Sequence, residues 1–352
     1  MRDDFDNFSV VEGPYLGDIL DQPRALEETL AGLDASKPLE KLAGMLQRGR
    51  FKRVVLTGMG SSFHALHPLN LKLVSHGFTA VMVETSELIH YESRLFDAKT
   101  LMVVVSQSGQ SAEIVRLLKI NKRKAAVIAV TNTVESPLAA KADAAVVTRA
   151  GKEFSVSCKT YVSALMALQW LGDLLCDRDL RRTRQELKSA GPVVRDYLSR
   201  WKDHVLSLAR ALNNTTNLFL VGRGASLAAV GAGALITKES AHFHAEGMSS
   251  AAFRHGPFEM LSDETFVLVF AGDKKTRELN RGLVEDIRAQ KGRAELVSEG
   301  DGLAPWTLPA ASQSLQPILE ILPAQMITLA LAAQRGREAG RFDRASKITT
   351  KE

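Results

Sequence analysis

Residues 54–62, Val54-Val55-Leu56-Thr57-Gly58-Met59-Gly60-Ser61-Ser62, return as residues 218–226, Leu218-Phe219-Leu220-Val221-Gly222-Arg223-Gly224-Ala225-Ser226, with both glycines and the final serine in register. A duplicated strand-to-helix junction implies that the chain holds two copies of one α/β unit. In each copy an apolar strand runs into Gly-x-Gly-x-Ser and then into an Ala/Leu-rich helix. The glycines let backbone approach a ligand closely, and the serines suit a helix N-terminus.

A second stretch separates the two copies chemically. Ser106-Gln107-Ser108-Gly109-Gln110-Ser111 follows the apolar run Leu101 to Val105 directly and precedes a helical pattern that begins near Ala112. A strand that ends in hydroxyls and a glycine and then opens a helix aims free N–H groups and the positive end of the helix dipole at one point, where an anion fits without a lysine. Taken alone, the hexapeptide reads better as an ordinary Ser-rich turn that caps its own helix; the duplication shifts the balance toward a phosphate cradle. The second copy has Ala271-Gly272-Asp273 at the corresponding place, and an aspartate there repels phosphate, so one anion site per chain is expected, at the carboxyl ends of the first sheet's strands. A dinucleotide site ranks well below a sugar-phosphate site. The third glycine of that fingerprint is missing, and Glu84 is followed by Thr85-Ser86-Glu87 rather than by ribose-binding context.

With 352 residues and 45% apolar content the chain is long enough for two cores. Cys158 and Cys176 offer neither a disulfide framework nor metal-ligand spacing, and Met1-Arg2-Asp3-Asp4 lacks the apolar core of a signal peptide, so a reducing cytoplasm is expected. Val162 to Leu175 and Ile318 to Ala333 are too short or too broken by polar residues for a membrane span of roughly 20 residues, and no membrane association is expected. The net charge of +5 comes from scattered Lys and Arg with clusters at Lys122-Arg123-Lys124 and Arg178 to Arg184. With only 6% aromatic residues to stack on bases, these read as solvated helix faces rather than a nucleic-acid surface. His242 and His244 near Glu246 lack a third convincing ligand, so no metal is expected.

Strands are expected at Arg53 to Thr57, Ala80 to Glu84, Thr100 to Val105, Ala125 to Thr131 and Ala144 to Thr148, then at Leu218 to Val221, His242 to Ala245, Phe266 to Phe270 and Ala294 to Val297. Helix-length segments between them imply parallel sheets covered on both faces. Helices are expected at Arg24 to Leu33 with Asp21 as cap and Pro23 in the first turn, at Leu39 to Leu46, Thr160 to Cys176, Pro192 to Leu212 and Leu319 to Gln334. The organisation expected is a helical segment over 1–45, a first domain over 46–180, a linking helix over 181–212, a second domain over 213–335 and a tail over 336–352.

Taken together these motifs resemble the sugar isomerase (SIS) family in its two-domain form, and the resemblance covers nearly the whole chain. Besides Gly60-Ser61-Ser62 and Ser106-Gln107-Ser108-Gly109, it rests on Asp18-Ile19-Leu20-Asp21-Gln22-Pro23, Lys238-Glu239, His244-Ala245-Glu246, Arg254-His255-Gly256-Pro257 and the terminal Lys347-Ile348-Thr349-Thr350. It implies two tandem SIS domains, each a three-layer α-β-α unit of the flavodoxin-like kind. It also implies that Gly60, Ser61, Ser62, Ser106, Gln107, Ser108 and Ser111, with nearby amides, hold the phosphate of a hexose 6-phosphate. Glu239 corresponds to the family's general base, His255 to the residue that assists ring opening from a neighbouring subunit, and Lys347 to the tail lysine that reaches the open-chain carbonyl. The implied protein is therefore a homodimer with a shared active site and no cofactor. Glu153-Phe154-Ser155-Val156-Ser157-Cys158-Lys159 resembles a substrate-side segment and adds Ser157 and Lys159.

Three departures from the family's pattern shape the functional expectation. There is no Cys at position 2 and no upstream glutaminase, so glutamine is not expected as nitrogen source. Ile236 stands where synthase members carry a lysine three residues before the base, and Gly340-Arg341-Phe342-Asp343-Arg344 replaces the usual Asp-x-Pro element of the tail. The leading expectation is a phosphosugar isomerase that moves a proton between adjacent carbons of a hexose or amino-sugar 6-phosphate. Its close variant is an amino-sugar-phosphate deaminase or fructosamine-6-phosphate deglycase using the same enolamine chemistry. A different class, a sugar-phosphate sensor without turnover, ranks lower because the first 50 residues offer two short helices without a persuasive helix-turn-helix or basic recognition face, and because Glu239, His255 and Lys347 occur together.

Overall fold

The computed structural model describes residues 8–122, 124–344 and 346–349, so the expectations placed on Met1 to Asp4, Arg123 and Thr350 fall outside the described residues. The duplication is visible as two parallel sheets. The first contains β1 (Arg53–Gly58), β2 (Ala80–Glu84), β3 (Thr100–Val105), β4 (Ala126–Thr131) and β5 (Ala144–Val147) in the order β2-β1-β3-β4-β5. The second contains β6 (Asn217–Gly222), β7 (Ala245–Ser249), β8 (Thr265–Phe270), β9 (Arg293–Glu299) and β10 (Thr307–Leu308) in the order β10-β9-β8-β6-β7. Read from β7, the second order repeats the first. The register repeats too: Arg53 pairs with Thr100 and Asn217 with Thr265, strand start against strand start.

Every residue of the central strands β3 and β8 is buried, which is why these segments read as unbroken apolar runs rather than alternating ones. Helices cover both faces, and the expected three-layer α/β architecture is what the chain forms. In each sheet the chain leaves the first strand to one side and reaches the third on the other, so the switch points lie between β1 and β3 and between β6 and β8. The carboxyl ends of those strands are the ligand positions of open α/β sheets.

The paired glycines have the same explanation in both copies. A Cβ on Gly58 would stand 3.0 Å from the Val105 carbonyl, and one on Gly222 would stand 3.1 to 3.3 Å from Val230, Ser226 and Phe270. Gly60 and Gly224 take φ of +52° and +61°, a region that side chains disfavour.

By packing, the chain forms two compact units that do not follow the sequence in single runs. The β6 unit takes the described residues through Pro23, Glu153–Cys158 and Pro192–Arg344; the β1 unit takes Arg24–Lys152, Lys159–Gly191 and the tail from Ser346. The Asp18 to Pro23 motif belongs to the β6 unit for a visible reason. The buried Gln22 and Gln325 side chains exchange hydrogen bonds of 2.9 and 3.1 Å, the Tyr15 hydroxyl lies 3.2 Å from Thr328 Oγ1, and Asp18 Oδ2 accepts the Phe154 N–H at 2.6 Å.

Two expectations change, and one strand is new. The single helix expected from Pro192 to Leu212 is two, Ala190–Leu198 and Trp201–Ala211, because the Ser199 hydroxyl donates to the Asp196 carbonyl at 2.6 Å and competes with the helical backbone. The strand expected from His242 begins at Ala245, since His242 closes the preceding helix in a left-handed conformation with φ of +48°. β10 was not foreseen, being two residues long. Among the described residues one helical stretch, Gln313–Gln334, is long and apolar enough to cross a membrane, and 94% of its apolar window is buried inside the protein.

Candidate functional site

The β1 unit gathers the serine-rich residues at the carboxyl ends of β1 and β3. After β3, Ser106 Oγ accepts the Gly109 N–H at 3.1 Å and Ser108 Oγ accepts the Gln110 N–H at 3.4 Å, so the hydroxyls shape their own loop. Each still carries an O–H proton to donate. The Gln107 carbonyl is pinned by Asn132 N–H at 3.1 Å and by the Thr131 and Thr133 hydroxyls, which fixes the loop against β4. Gly109 takes φ of +62°, and a Cβ there would stand 2.6 Å from Ser136 Cβ, so only glycine passes. Ser111 is extended at the N-terminus of helix Ala112–Asn121, and its side chain makes no capping bond. That observation bears on the two readings of the hexapeptide: the hydroxyl that a self-capping turn would use is not used that way. After β1, Gly60 opens the short helix Ser61–His64, with Ser61 and Ser62 half-buried in its first turn.

Two further features of this unit escaped the sequence. The tail returns to the loop, where the Thr349 carbonyl accepts the Ala112 N–H at 3.1 Å. The half-buried Lys347 stands two residues before this contact with the end of the serine loop. Glu113, in the first helical turn, is only 8% exposed, and its Oε2 has no hydrogen-bond partner among the described residues. An acidic residue in a first turn looks like ordinary dipole complementarity, so its burial could not be read from type and position.

The β6 unit holds the remaining candidates. Glu239 lies half-buried on helix Leu227–Ala241, close enough to Tyr15 for its charge to act on the phenol. Burial first, then the neighbouring Cys158, raises the Tyr15 hydroxyl well above the usual phenol range, with Glu239 adding to the shift, so this residue stays protonated beside the carboxylate. Tyr15 is another residue the sequence did not single out. The tail explains its place, since a Cβ on Gly340 would stand 2.6 Å from the Tyr15 ring and the Gly340 N–H donates to the Ser240 carbonyl at 3.2 Å. Ser157 is half-buried in the segment Glu153–Cys158 of this unit, where Glu153 Oε1 accepts the Cys158 N–H at 2.9 Å. Lys159 is 5% exposed and opens helix Lys159–Leu175 in the β1 unit. Ile236 is fully buried. His255 is exposed, just beyond helix Ser250–Arg254, next to Gly256 with φ of +145°. His242 Nε2 lies 2.9 Å from an Arg337 guanidinium nitrogen, and among the described residues no three His, Cys, Asp or Glu side chains are grouped to hold a metal ion.

Two doubly wound α/β domains of the same strand order, one of them ending β3 in a serine-rich loop that opens a helix, define a tandem α/β architecture. The chain belongs to the SIS domain family, whose model matches residues 50–172 and 211–335. It is 30% identical over 350 residues to the isomerizing glutamine–fructose-6-phosphate aminotransferase of Pyrococcus horikoshii, an alignment that takes 96% of this chain and 57% of that protein. The chain thus spans somewhat more than half the length of that curated relative. Among solved structures, the C-terminal domain of glucosamine-fructose-6-phosphate aminotransferase from Francisella tularensis matches with a TM-score of 0.81 at 19% identity, over 96% of this chain and 98% of that one. Glucosamine-6-phosphate deaminase from Thermotoga maritima matches with a TM-score of 0.74 at 18% identity, over 96% of this chain and all of that one. These two likenesses concern the fold.

Proposed function

We propose that the protein is an enzyme that isomerises a hexose 6-phosphate or amino-sugar 6-phosphate by proton transfer between adjacent carbons. The observation that carries this reading is the loop Ser106 to Ser111, whose hydroxyls keep their protons for a ligand and whose Ser111 side chain makes no capping bond to its helix. Serine donors and helix N–H groups bind a phosphate dianion without adding charge of their own. Ser61, Ser62 and the amide after Gly60 complete the phosphate end. Lys347 attends the open-chain carbonyl, where an ammonium stabilises the oxygen that becomes negative.

Glu239 acts as the base. It removes the proton from the carbon next to the carbonyl, leaving an enediol, and returns it to the neighbouring carbon, so that an aldose and a ketose interconvert with no net change in atoms. His255, exposed on its own subunit, assists ring opening in the site of a dimer partner. The chemistry draws on no cofactor.

A second reading has its own support. The fully buried Ile236 supplies no cation to the carbonyl end, which suits C–N cleavage at least as well as pure rearrangement. In that variant the proton moved by Glu239 gives an enolamine in place of the enediol, its imine form takes up one water, and ammonia or an amino acid leaves to give the ketose or aldose phosphate.

Purified protein in deuterium oxide with fructose 6-phosphate, glucosamine 6-phosphate or a fructosyl-amino-acid 6-phosphate, followed by NMR, tests both readings. Exchange with rearrangement alone supports the isomerase, and exchange with amine release supports the deaminase or deglycase. Glu239→Gln should slow exchange by about a thousandfold while phosphosugar affinity stays within about threefold. Binding without exchange would make the protein a sensor, and undiminished exchange in the variant would remove Glu239 from its role.

A further inference from the structure

The β6 unit carries a cavity of about 300 Å³ at the carboxyl ends of β8 and β9, lined by Asp273, Lys274, Arg277, Glu299, Gln316 and Glu320 among others. It stands at the edge of the second sheet that corresponds to the serine loop of the first, where the Ala271-Gly272-Asp273 sequence argues against any ligand. Geometry tempers that argument. Asp273 Oδ1 accepts the Lys275 and Thr276 N–H groups at 3.0 and 3.3 Å, so the carboxylate faces the start of the helix Arg277–Ala289, and Lys274 and Arg277 line the same cavity and offset its charge.

Two residues of the cavity wall each have a buried polar atom without a hydrogen-bond partner among the described residues. Glu320 is 1% exposed; its Oε1 accepts the Ser226 hydroxyl and the Gln316 amide, both at 2.8 Å, while its Oε2 has no hydrogen-bond partner among the described residues. Arg277 is half-buried, and its Nε is buried and likewise unpartnered. A carboxyl oxygen and a guanidinium nitrogen left unsatisfied just behind one cavity wall are costly unless a small turn of either side chain toward a ligand supplies the missing hydrogen bonds. Ser226 is the in-register counterpart of Ser62, so the repeat has kept the serine and turned it to hold an acid.

We infer that this cavity is a second ligand site, distinct from the serine loop, which takes a small hydroxylated anion of the sugar-phosphate or sugar-acid class. Arg277 and Lys274 meet the anionic group, and the Glu320 carboxyl and Gln316 amide meet hydroxyls. With Oε1 receiving two donors, the proton sits on the other oxygen of Glu320, which donates it to the ligand once the carboxyl turns toward the cavity. This follows from burial as well, which moves the group up to about 7 and leaves it largely protonated at slightly acid pH. The site is separate from the proposed reaction, because none of the residues named belongs to the serine loop and none is Glu239, His255 or Lys347.

The test uses the full chain at slightly acid pH, titrated calorimetrically with inorganic phosphate, 6-phosphogluconate and gluconate, with hydrogen exchange to locate each event. Binding of 6-phosphogluconate should protect residues 271–277 and 312–320, persist in a Ser106→Ala/Ser108→Ala chain, and weaken by about tenfold or more in Arg277→Ala. Glu320→Gln, which keeps an acceptor for Ser226 and a donor for the ligand, should bind within about threefold of the parent, while Glu320→Leu should lose about tenfold. Phosphate alone binding as well as 6-phosphogluconate would assign the site to the anion, and gluconate binding as well would assign it to the sugar acid; either keeps the inference. Protection confined to the serine loop, binding unchanged in Arg277→Ala, or no binding by any of the three probes overturns it, whatever the outcome of the exchange experiment with Glu239.

Discussion

The two sheets share strand order, register and paired glycines, yet the loops at their carboxyl ends have opposite chemistry. The first ends β3 in hydroxyls that accept backbone N–H groups and keep their protons. The second ends β8 in Ala271-Gly272-Asp273 and places a buried acid, a guanidinium and a lysine around a cavity. The difference shows that a duplicated α/β frame constrains the position of a site, through the switch point and the strand ends, and leaves its chemistry to a few loop residues.

The sharpest way to break the comparison is at the glycines. Gly109→Ala places a side chain at φ of +62° and drives its Cβ into Ser136, whereas Gly272→Ala places one at φ of +71° with its nearest neighbour, Ser226 Oγ, at an ordinary 3.4 Å. The first change should cost about 4 kcal/mol and the second about 1 kcal/mol, read as lost hydrogen-exchange protection in β3 and β8 respectively. Equal costs would mean that the two loops are under the same constraint.

Next in size is a pH effect expected in the β6 unit, set by Glu320. Burial raises this carboxyl from 4.5 to about 7, with Asp273 adding to the shift and the bonds from Ser226 and Gln316 opposing it. Between those values the folded unit holds a proton that the unfolded chain has lost, so stability falls as pH rises from about 5 to about 7 and is level above, a total of about 3 kcal/mol. Exchange protection in β6 and β8 across that range should show the decline in the parent and a flat profile in Glu320→Gln. A decline of the same size in both would place the titration elsewhere.

The smallest effect separates a serine that caps from one that does not. Ser249 Oγ accepts the Ala252 N–H at 3.1 Å, so Ser249→Ala should destabilise its short helix by about 1 kcal/mol. Ser111 makes no such bond, so Ser111→Ala should change the stability of helix Ala112–Asn121 by less than about 0.5 kcal/mol while weakening phosphate binding to the β1 unit by about threefold or more. Lost protection of that helix with unchanged phosphate affinity would return the hexapeptide to the role of an ordinary turn.

The α/β class, the duplication and the strand ends were legible in the chain itself. Apolar runs buried on both faces, punctuated by Gly-x-Gly-x-Ser, are local signals whose physical cause lies within a few residues. The serine loop was legible for the same reason, since strand, turn and helix start are contiguous. Its two readings were not separable there, because whether Ser111 turns its hydroxyl inward is a matter of rotamer and neighbours.

Tertiary structure decided the rest. Tyr15 beside Glu239, Thr349 on the Ala112 amide, and Glu320 held by Ser226 join positions far apart in the chain. Neither residue type nor spacing encodes such meetings. Burial decided them as well: Glu113 and Glu320 are both helix carboxylates by sequence, and only packing shows that each has an oxygen with no hydrogen-bond partner among the described residues. Periodicity specifies which face of an element turns inward, whereas the neighbours a polar atom meets there depend on how distant segments close over it.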